Sequence, residues 1–232
     1  MKRVFLTFLL IFSLQPSTAN AVVVKSTKAL IELPYSKSDQ VSDVALTPVS
    51  VILIGTTESP NSPWVSGNLG GASDGFIASY SSLGAPLWNL RLGGVENEIA
   101  TSAALDADGS IWVLGASSSL ITPTPKPATG QVLNPDNVIP EPVQVKNSPV
   151  NRIKLWQVSS NGGLLNSFEF ISENIIDPRK ILISGANLII FGNSYTKSDV
   201  SGFYISASKG GVFSSKIKYG IKTTRISSAI VN

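Results

Sequence analysis

Three times along the chain a run of apolar residues ends on a glycine: Val51-Ile52-Leu53-Ile54-Gly55, Ile111-Trp112-Val113-Leu114-Gly115 and Leu188-Ile189-Ile190-Phe191-Gly192. A Ser/Thr-rich stretch follows each, as Thr56-Thr57, Ser117-Ser118-Ser119 and Ser194-Tyr195-Thr196. A short apolar segment precedes each, as Val44-Ala45-Leu46, Ala103-Ala104-Leu105 and Ile181-Leu182-Ile183. Two alternating segments follow across a glycine turn: 74–80 and 87–92 about Gly84, 152–158 and 165–170 about Gly162-Gly163, 201–207 and 212–219 about Gly210-Gly211. This periodicity predicts four strands per unit. A run with no polar face must be covered on both sides, whereas an alternating strand leaves one face to solvent. Units graded from a buried inner strand to a half-exposed outer one bury their apolar faces by stacking.

The expected fold is therefore all-β, a β-propeller of four-stranded blades. The expected blades cover about 40–97, 98–175 and 176–220 within a repeat domain of 22–232. Residues 28–33 take the place of an outer strand before the first unit, and 225–231 resemble a first strand, so 221–232 would open a further blade. About three blades do not close a ring, since propellers have roughly four to eight. The expectation is an incomplete ring: a piece of a longer protein, or a chain that self-associates through uncapped terminal blades. The middle unit carries an insertion over 120–150 with Pro123, Pro125, Pro127, Pro135, Pro140, Pro142 and Pro149. That proline density excludes helix and central strand. The insertion is either a recognition loop or an extension tolerated at a loop tip.

The stretch Ala104-Leu105-Asp106-Ala107-Asp108-Gly109-Ser110-Ile111-Trp112-Val113-Leu114-Gly115, with Ser117-Ser118, resembles the bacterial SBBP-type β-propeller repeat. Asp74-Gly75-Phe76-Ile77-Ala78, Gly84 and Leu87-Trp88, closing on Leu92-Gly93-Gly94, are similar to the later half of that repeat. The first unit has Thr47-Pro48-Val49-Ser50 in place of the Asp-x-x-Gly turn. In the third unit Ser201 stands where the motif has Asp, and no Gly-Gly follows Tyr219. The resemblance implies a propeller on an exported or cell-surface protein and no defined activity, because the fold hosts many functions.

Residues 1–21 have the organisation of a secretory signal peptide. Met1-Lys2-Arg3 is basic, 4–14 is apolar and Ala19-Asn20-Ala21 offers a cleavage site after Ala21. The apolar stretch falls short of the ~20 residues of a spanning helix. An N-terminal anchor helix is the alternative. The expected location is extracytoplasmic, secreted or at a bacterial cell surface, with no transmembrane segment after cleavage. Loss of Lys2 and Arg3 leaves 16 basic against 15 acidic residues. No basic stripe is interleaved with aromatics, which argues against nucleic acid. The chain has no Cys and no His, which removes disulfides, Cys/His zinc sites and His-based triads.

The expected activity is binding without catalysis, by a scaffold whose partner is another surface protein or a polysaccharide. The candidate contact is Trp64 with Pro63 and Asn61, in a loop between strands. There Trp64 either meets a partner or is buried under its own loop. No cofactor is expected, apart from a structural calcium ion at Asp106, Asp108 and Ser110. The competing reading of that stretch is a hairpin turn, in which Gly109 supplies the positive φ. The alternative function is a propeller-type glycoside hydrolase or lyase with axial carboxylates drawn from Asp43, Glu96, Glu98, Asp106 and Asp108. A third is a structural spacer in a larger surface protein. Ser-x-x-Lys occurs at Ser194, Ser206 and Ser215, a frequency expected by chance in a Ser-rich chain. Trp88, Trp112 and Trp156 occupy strand positions and are expected to pack between blades.

Overall fold

The computed structural model describes residues 39–62, 64–67, 69–118, 149–220 and 223–230. Twelve strands form three antiparallel four-stranded sheets, and the described residues include no helix. The first sheet is β1 (Asp39–Leu46), β2 (Ser50–Thr57), β3 (Asp74–Ser81) and β4 (Pro86–Leu92). The second is β5 (Asn97–Leu105), β6 (Ile111–Ser118), β7 (Val150–Val158) and β8 (Leu164–Ile171). The third is β9 (Ile175–Ser184), β10 (Asn187–Tyr195), β11 (Val200–Ser208) and β12 (Ile217–Tyr219). Within each sheet the strands pair in chain order.

One local device recurs in all three sheets. The first strand bulges opposite the glycine that closes the apolar run: Val41 and Asp43 flank the extra residue in β1, Ala100 and Ser102 in β5, Pro178 and Lys180 in β9. A bulge adds one residue and bends the strand. The glycine is required because two neighbours press on it. A Cβ at Gly55 would stand 2.7 Å from Phe76 Cζ, one at Gly115 2.5 Å from Trp156 Cζ3, and one at Gly192 2.9 Å from Phe203 Cζ. Each would also collide with a carbonyl of the bulged strand, that of Gln40, Ile99 or Asp177. The glycine repeat in the sequence is thus the record of an aromatic ring and a bulged backbone meeting at one point.

The sheets stack face to face through two apolar layers. Ile52, Ile54, Ile77 and Leu92 of the first meet Ala103, Ile111, Val113, Trp156 and Val158 of the second. Trp112, Leu114, Ile153 and Leu155 of the second meet Ile181, Leu188, Ile190, Phe203 and Ile205 of the third. Strand β6 therefore sends alternate residues into both layers, and all eight of its residues are buried. Fully burying side chains of this size stabilises by roughly 1.5–3 kcal/mol each. Strands β2 and β10, in the end sheets, are buried less completely. Among the described residues their sheets have another sheet on one side only.

The end faces carry smaller covers. Beside the first sheet, Val65 and Trp64 pack on Phe76, Ala78 and Tyr80. Beside the third, Ile226 N donates to Asn193 Oδ1 (2.7 Å), while Asn193 Nδ2 donates to Ile226 O (3.0 Å). Residues 223–230 form no strand, unlike the first strand expected over 225–231. The Asn193 side-chain amide and one backbone bond, from Thr223 N to Val200 O at 2.9 Å, hold them in place of a ladder. The expected outer strand over 212–219 is reduced to β12 and one isolated bridge between Ala207 and Phe213. Ser214 Oγ takes the Ser206 N–H, and Lys216 turns inward to Ser172 and Ser194, so the ladder breaks between them. The leader 1–21, the segment 28–33, Pro63 and all but the last two residues of the 120–150 insertion lie outside the described residues.

Candidate functional site

The first strands of the three sheets meet, β5 lying against both β1 and β9. Where they meet, polar side chains from equivalent positions bond across the sheets. Ser102 Oγ and Ala103 N both donate to Asp43 Oδ2, at 2.9 and 3.0 Å. One sheet further on, Ile181 N donates to Ser102 Oγ at 3.4 Å. The same step is taken twice: the side chain after one bulge accepts the backbone N–H that follows the next. Lys180 closes the junction by reaching back to Asp43 Oδ2 at 3.0 Å. Desolvation pulls the Asp43 pKa up, but the bonds from Ala103, Lys180 and Ser102 outweigh it and hold the carboxyl below its ordinary value.

Beside this junction lies a cavity of about 500 Å³. The bulge residues Ser42, Thr101 and Arg179 line it, together with Ser227 of the docked 223–230 segment. The residues two places before each bulge, Gln40, Ile99 and Asp177, line it as well. Asp177 and Arg179 pair at 2.6 Å, and Tyr195 Oη donates to the same Asp177 oxygen. Thr56, Ser73 and Glu58 complete the polar wall. Such a wall offers hydroxyl donors and acceptors, one amide, the Glu58 carboxylate and one internally compensated ion pair. It suits a hydrated, hydroxyl- or amide-rich ligand. The bulges leave a signal in the sequence. Each coincides with two successive polar residues inside an apolar stretch: Ser42-Asp43, Thr101-Ser102, Arg179-Lys180. That double polar step breaks the period of two and marks an extra residue.

The carboxylates proposed from sequence do not share one funnel. Asp43 serves the junction, and Asp106 pairs with Lys209 Nζ at 2.7 Å. Glu96 pairs with Arg152 at 2.9 Å. Glu98 is buried, accepts Gly94 N at 3.2 Å and has its pKa raised, chiefly by that burial. The residues suggested for calcium are engaged by protein donors. Asp106 takes Lys209, Ala107 N and Trp112 Nε1. Asp108 takes Ser110 N, and Ser110 Oγ takes Gln157. The stretch is a hairpin turn, with Gly109 at φ +85° and Gly109 N bonded to Asp106 O. Among the described residues no group of three acidic side chains is placed to hold a metal ion.

Trp64 is half-buried. It stacks on Phe76 at 6.0 Å between centroids and meets Tyr80 edge-on. Asn61 is exposed beside it. Trp88 and Trp112 both tie neighbouring sheets. Trp88 Nε1 donates to Ser160 O of the second sheet, and Trp112 is fully buried towards the third. No described helix is long and apolar enough to cross a membrane. No known protein family matches the chain, and no curated protein does.

Proposed function

We propose that this chain is an exported, non-catalytic propeller-type scaffold, with its three sheets as consecutive blades and its partner bound at the central cavity. The observation that carries the reading is the convergence of the three bulge residues, Ser42, Thr101 and Arg179, with Ser227 of the docked segment, on one polar cavity. A radial stack delivers equivalent residues to a common axis, and a binding site built there draws on every blade. The repeated step from Ala103 N to Asp43 and from Ile181 N to Ser102 supports the same arrangement.

Residues 223–230 act in this reading as the inner strand of a fourth blade. Ile226 N bonds Asn193 as Ala100 N bonds Thr56 Oγ1, and Thr56 and Asn193 each follow the repeat glycine. Gly202 faces Ile226 as Gly75 faces Ala100. The SBBP-like motifs and the leader favour an extracytoplasmic setting, with a surface polysaccharide or an extended segment of a surface protein as partner. A hydrolase or lyase would need a protonated acid facing a free carboxylate. Asp43 and Asp106 are instead bound by Lys180 and Lys209, Glu98 is not among the residues that line the cavity, and of the two lining carboxylates Asp177 is paired with Arg179, which leaves Glu58 without a second free acid beside it among the described lining residues. The binding reading needs no cofactor.

The test is retention of the folded protein on isolated cell-wall polysaccharide and on immobilised surface proteins. Thr101→Trp, which fills the cavity, is expected to abolish retention with the strand circular dichroism unchanged, and Trp64→Ala to reduce it less. Full retention by a folded Thr101→Trp variant overturns the cavity as the binding site.

A further inference from the structure

The three sheets carry the same pair of positions at one end of their outer strands, and the third sheet fills them differently. Two residues past the repeat glycine, the second strand faces Asp74 in the first sheet, Arg152 in the second and Ser201 in the third. On the outermost strand the matching positions are Arg91, Glu169 and Lys218. In the first sheet the two make an ion pair, Arg91 Nη1 to Asp74 Oδ2 at 3.4 Å. In the second the signs are exchanged and the pair persists, Arg152 Nη1 to Glu169 Oε2 at 3.6 Å. In the third the acid is gone, because Ser201 faces the lysine.

The vacated acid position lies beside a cavity of about 150 Å³, lined by Ser194, Thr196, Ser201, Asn174, Lys216 and Lys218 among others. That volume equals the liquid share of about five waters. Lys216 brings a second ammonium group to it. Its Nζ donates to Ser194 Oγ at 3.1 Å and Ser172 Oγ at 3.3 Å, and stands 5.8 Å from the Phe203 ring centroid. No described carboxylate pairs with it within 4.0 Å; burial pushes its pKa down, and the more distant Glu173 carboxylate only partly offsets that. Lys218 has only a long contact, 3.7 Å to Asp199. Two cations and a ring of hydroxyl donors thus face a cavity where the other sheets hold a carboxylate of their own. A buried or half-buried ammonium without a counter-charge is costly, and a charge-assisted pair relieves that cost.

We propose that this cavity binds a carboxylate, held between Lys216 and Lys218 with Ser194, Thr196 and Ser201 as hydroxyl partners, in the place that Asp74 fills in the first sheet. The proposal needs only the equivalence of the sheets and stands apart from the central cavity. The carboxylate is either that of a small free acid or a Glu side chain of a bound peptide.

The experiment titrates the whole chain with sodium acetate against sodium chloride at equal ionic strength, following the Lys216 Cε resonance and Tm. Acetate is expected to shift the resonance saturably and raise Tm, and chloride is not. Lys216→Met, followed on the Lys218 Cε resonance and Tm, should weaken the acetate response by about ten-fold or more, the scale of one charge-assisted bond. Ser201→Asp, which restores the missing acid, should raise Tm without ligand and abolish the saturable shift. An end-blocked Glu peptide compared with its Gln twin separates the sources: tighter binding than acetate points to a protein carboxylate, weaker binding to a free acid. Equal responses to acetate and chloride overturn the proposal. So does a saturable shift that survives in both folded variants.

Discussion

Glu98 shows how a single side chain in this fold sets a pH dependence of determinate sign. It lies 2% exposed at the start of β5, with one bond from Gly94 N and with Asp74 and Glu96 adding negative charge nearby. Desolvation comes first among the causes, the repulsion from Asp74 adds to it, and the Gly94 bond falls short of cancelling them, so the pKa stands above 4.5. An acid whose folded pKa is raised holds its proton more tightly in the native state than in the unfolded one. Stability then falls as pH rises from the unfolded value, 4.5, through the folded one. Glu98→Gln removes this slope. The expected outcome is a variant more stable than the parent at pH 7 and no more stable at pH 4, measured by urea unfolding at both values. Asp43 and Asp106 titrate in the opposite sense, their pKa values lying below 3.8. Their stabilisation is present above 3.8 and lost as pH falls through the folded values. A Glu98→Gln variant with the parent's slope between pH 4 and 7 would contradict the burial argument.

At the scale of the element, the inner strand explains both what the sequence discloses and what it hides. The strand order within each sheet follows from the glycine-terminated run and the alternating pair after it, because those patterns report burial directly. The cavity-lining residues are harder to find. Ser42, Thr101 and Arg179 are ordinary polar residues, and only their position at a bulge turns them towards the cavity. The Lys216 cavity is hidden for a related reason. Ser201 is visible as a departure from the repeat, but the residue that compensates it arrives from the broken ladder before β12. Trp64 leaves two readings open in sequence, since a loop tryptophan has no period, and its stacking on Phe76 is a tertiary fact. Residues 223–230 offer a prediction for a segment held at Ile226 by the Asn193 side chain and at Thr223 by a backbone bond to Val200 O. Asn193 makes two bonds to Ile226. At about 1 kcal/mol each, their loss in Asn193→Ala should speed amide exchange at Ile226 roughly ten- to a hundred-fold. Exchange within β6 should stay as it is. Unchanged protection at Ile226 would mean that something other than Asn193 holds the segment.

At the scale of the whole molecule, the stack of three described sheets has two unlike ends, and one of them is apolar. Val44, Ala103 and Ile181 are equivalent, each the second residue after its bulge. Ala103 and Ile181 are covered by the sheet before them, at 8% and 0% exposure, whereas Val44 is 50% exposed and its neighbour on the same face, Leu46, 69%. Trp64 and Val65 shield Phe76, Ala78 and Tyr80 on that face but leave the β1 side open. An uncapped face of a stacked array draws a second molecule to it. An association of this kind would follow from apolar area rather than charge, and added salt is not expected to disperse it. Lysine is a common means of blunting such a surface. The double change Val44→Lys with Leu46→Lys should lower the concentration-dependent mass seen in sedimentation equilibrium. Exposed substitutions of this kind alter stability by about 0.5 kcal/mol or less, which for a chain of this length moves Tm by roughly 2 °C at most. The comparison separates an interface from a folding defect: a fall in mass at constant Tm assigns the self-association to β1. A parent protein that sediments as a monomer at every concentration would mean that the β1 face stays uncovered without cost, and the analogy between Val44 and its two buried counterparts would end at the sequence.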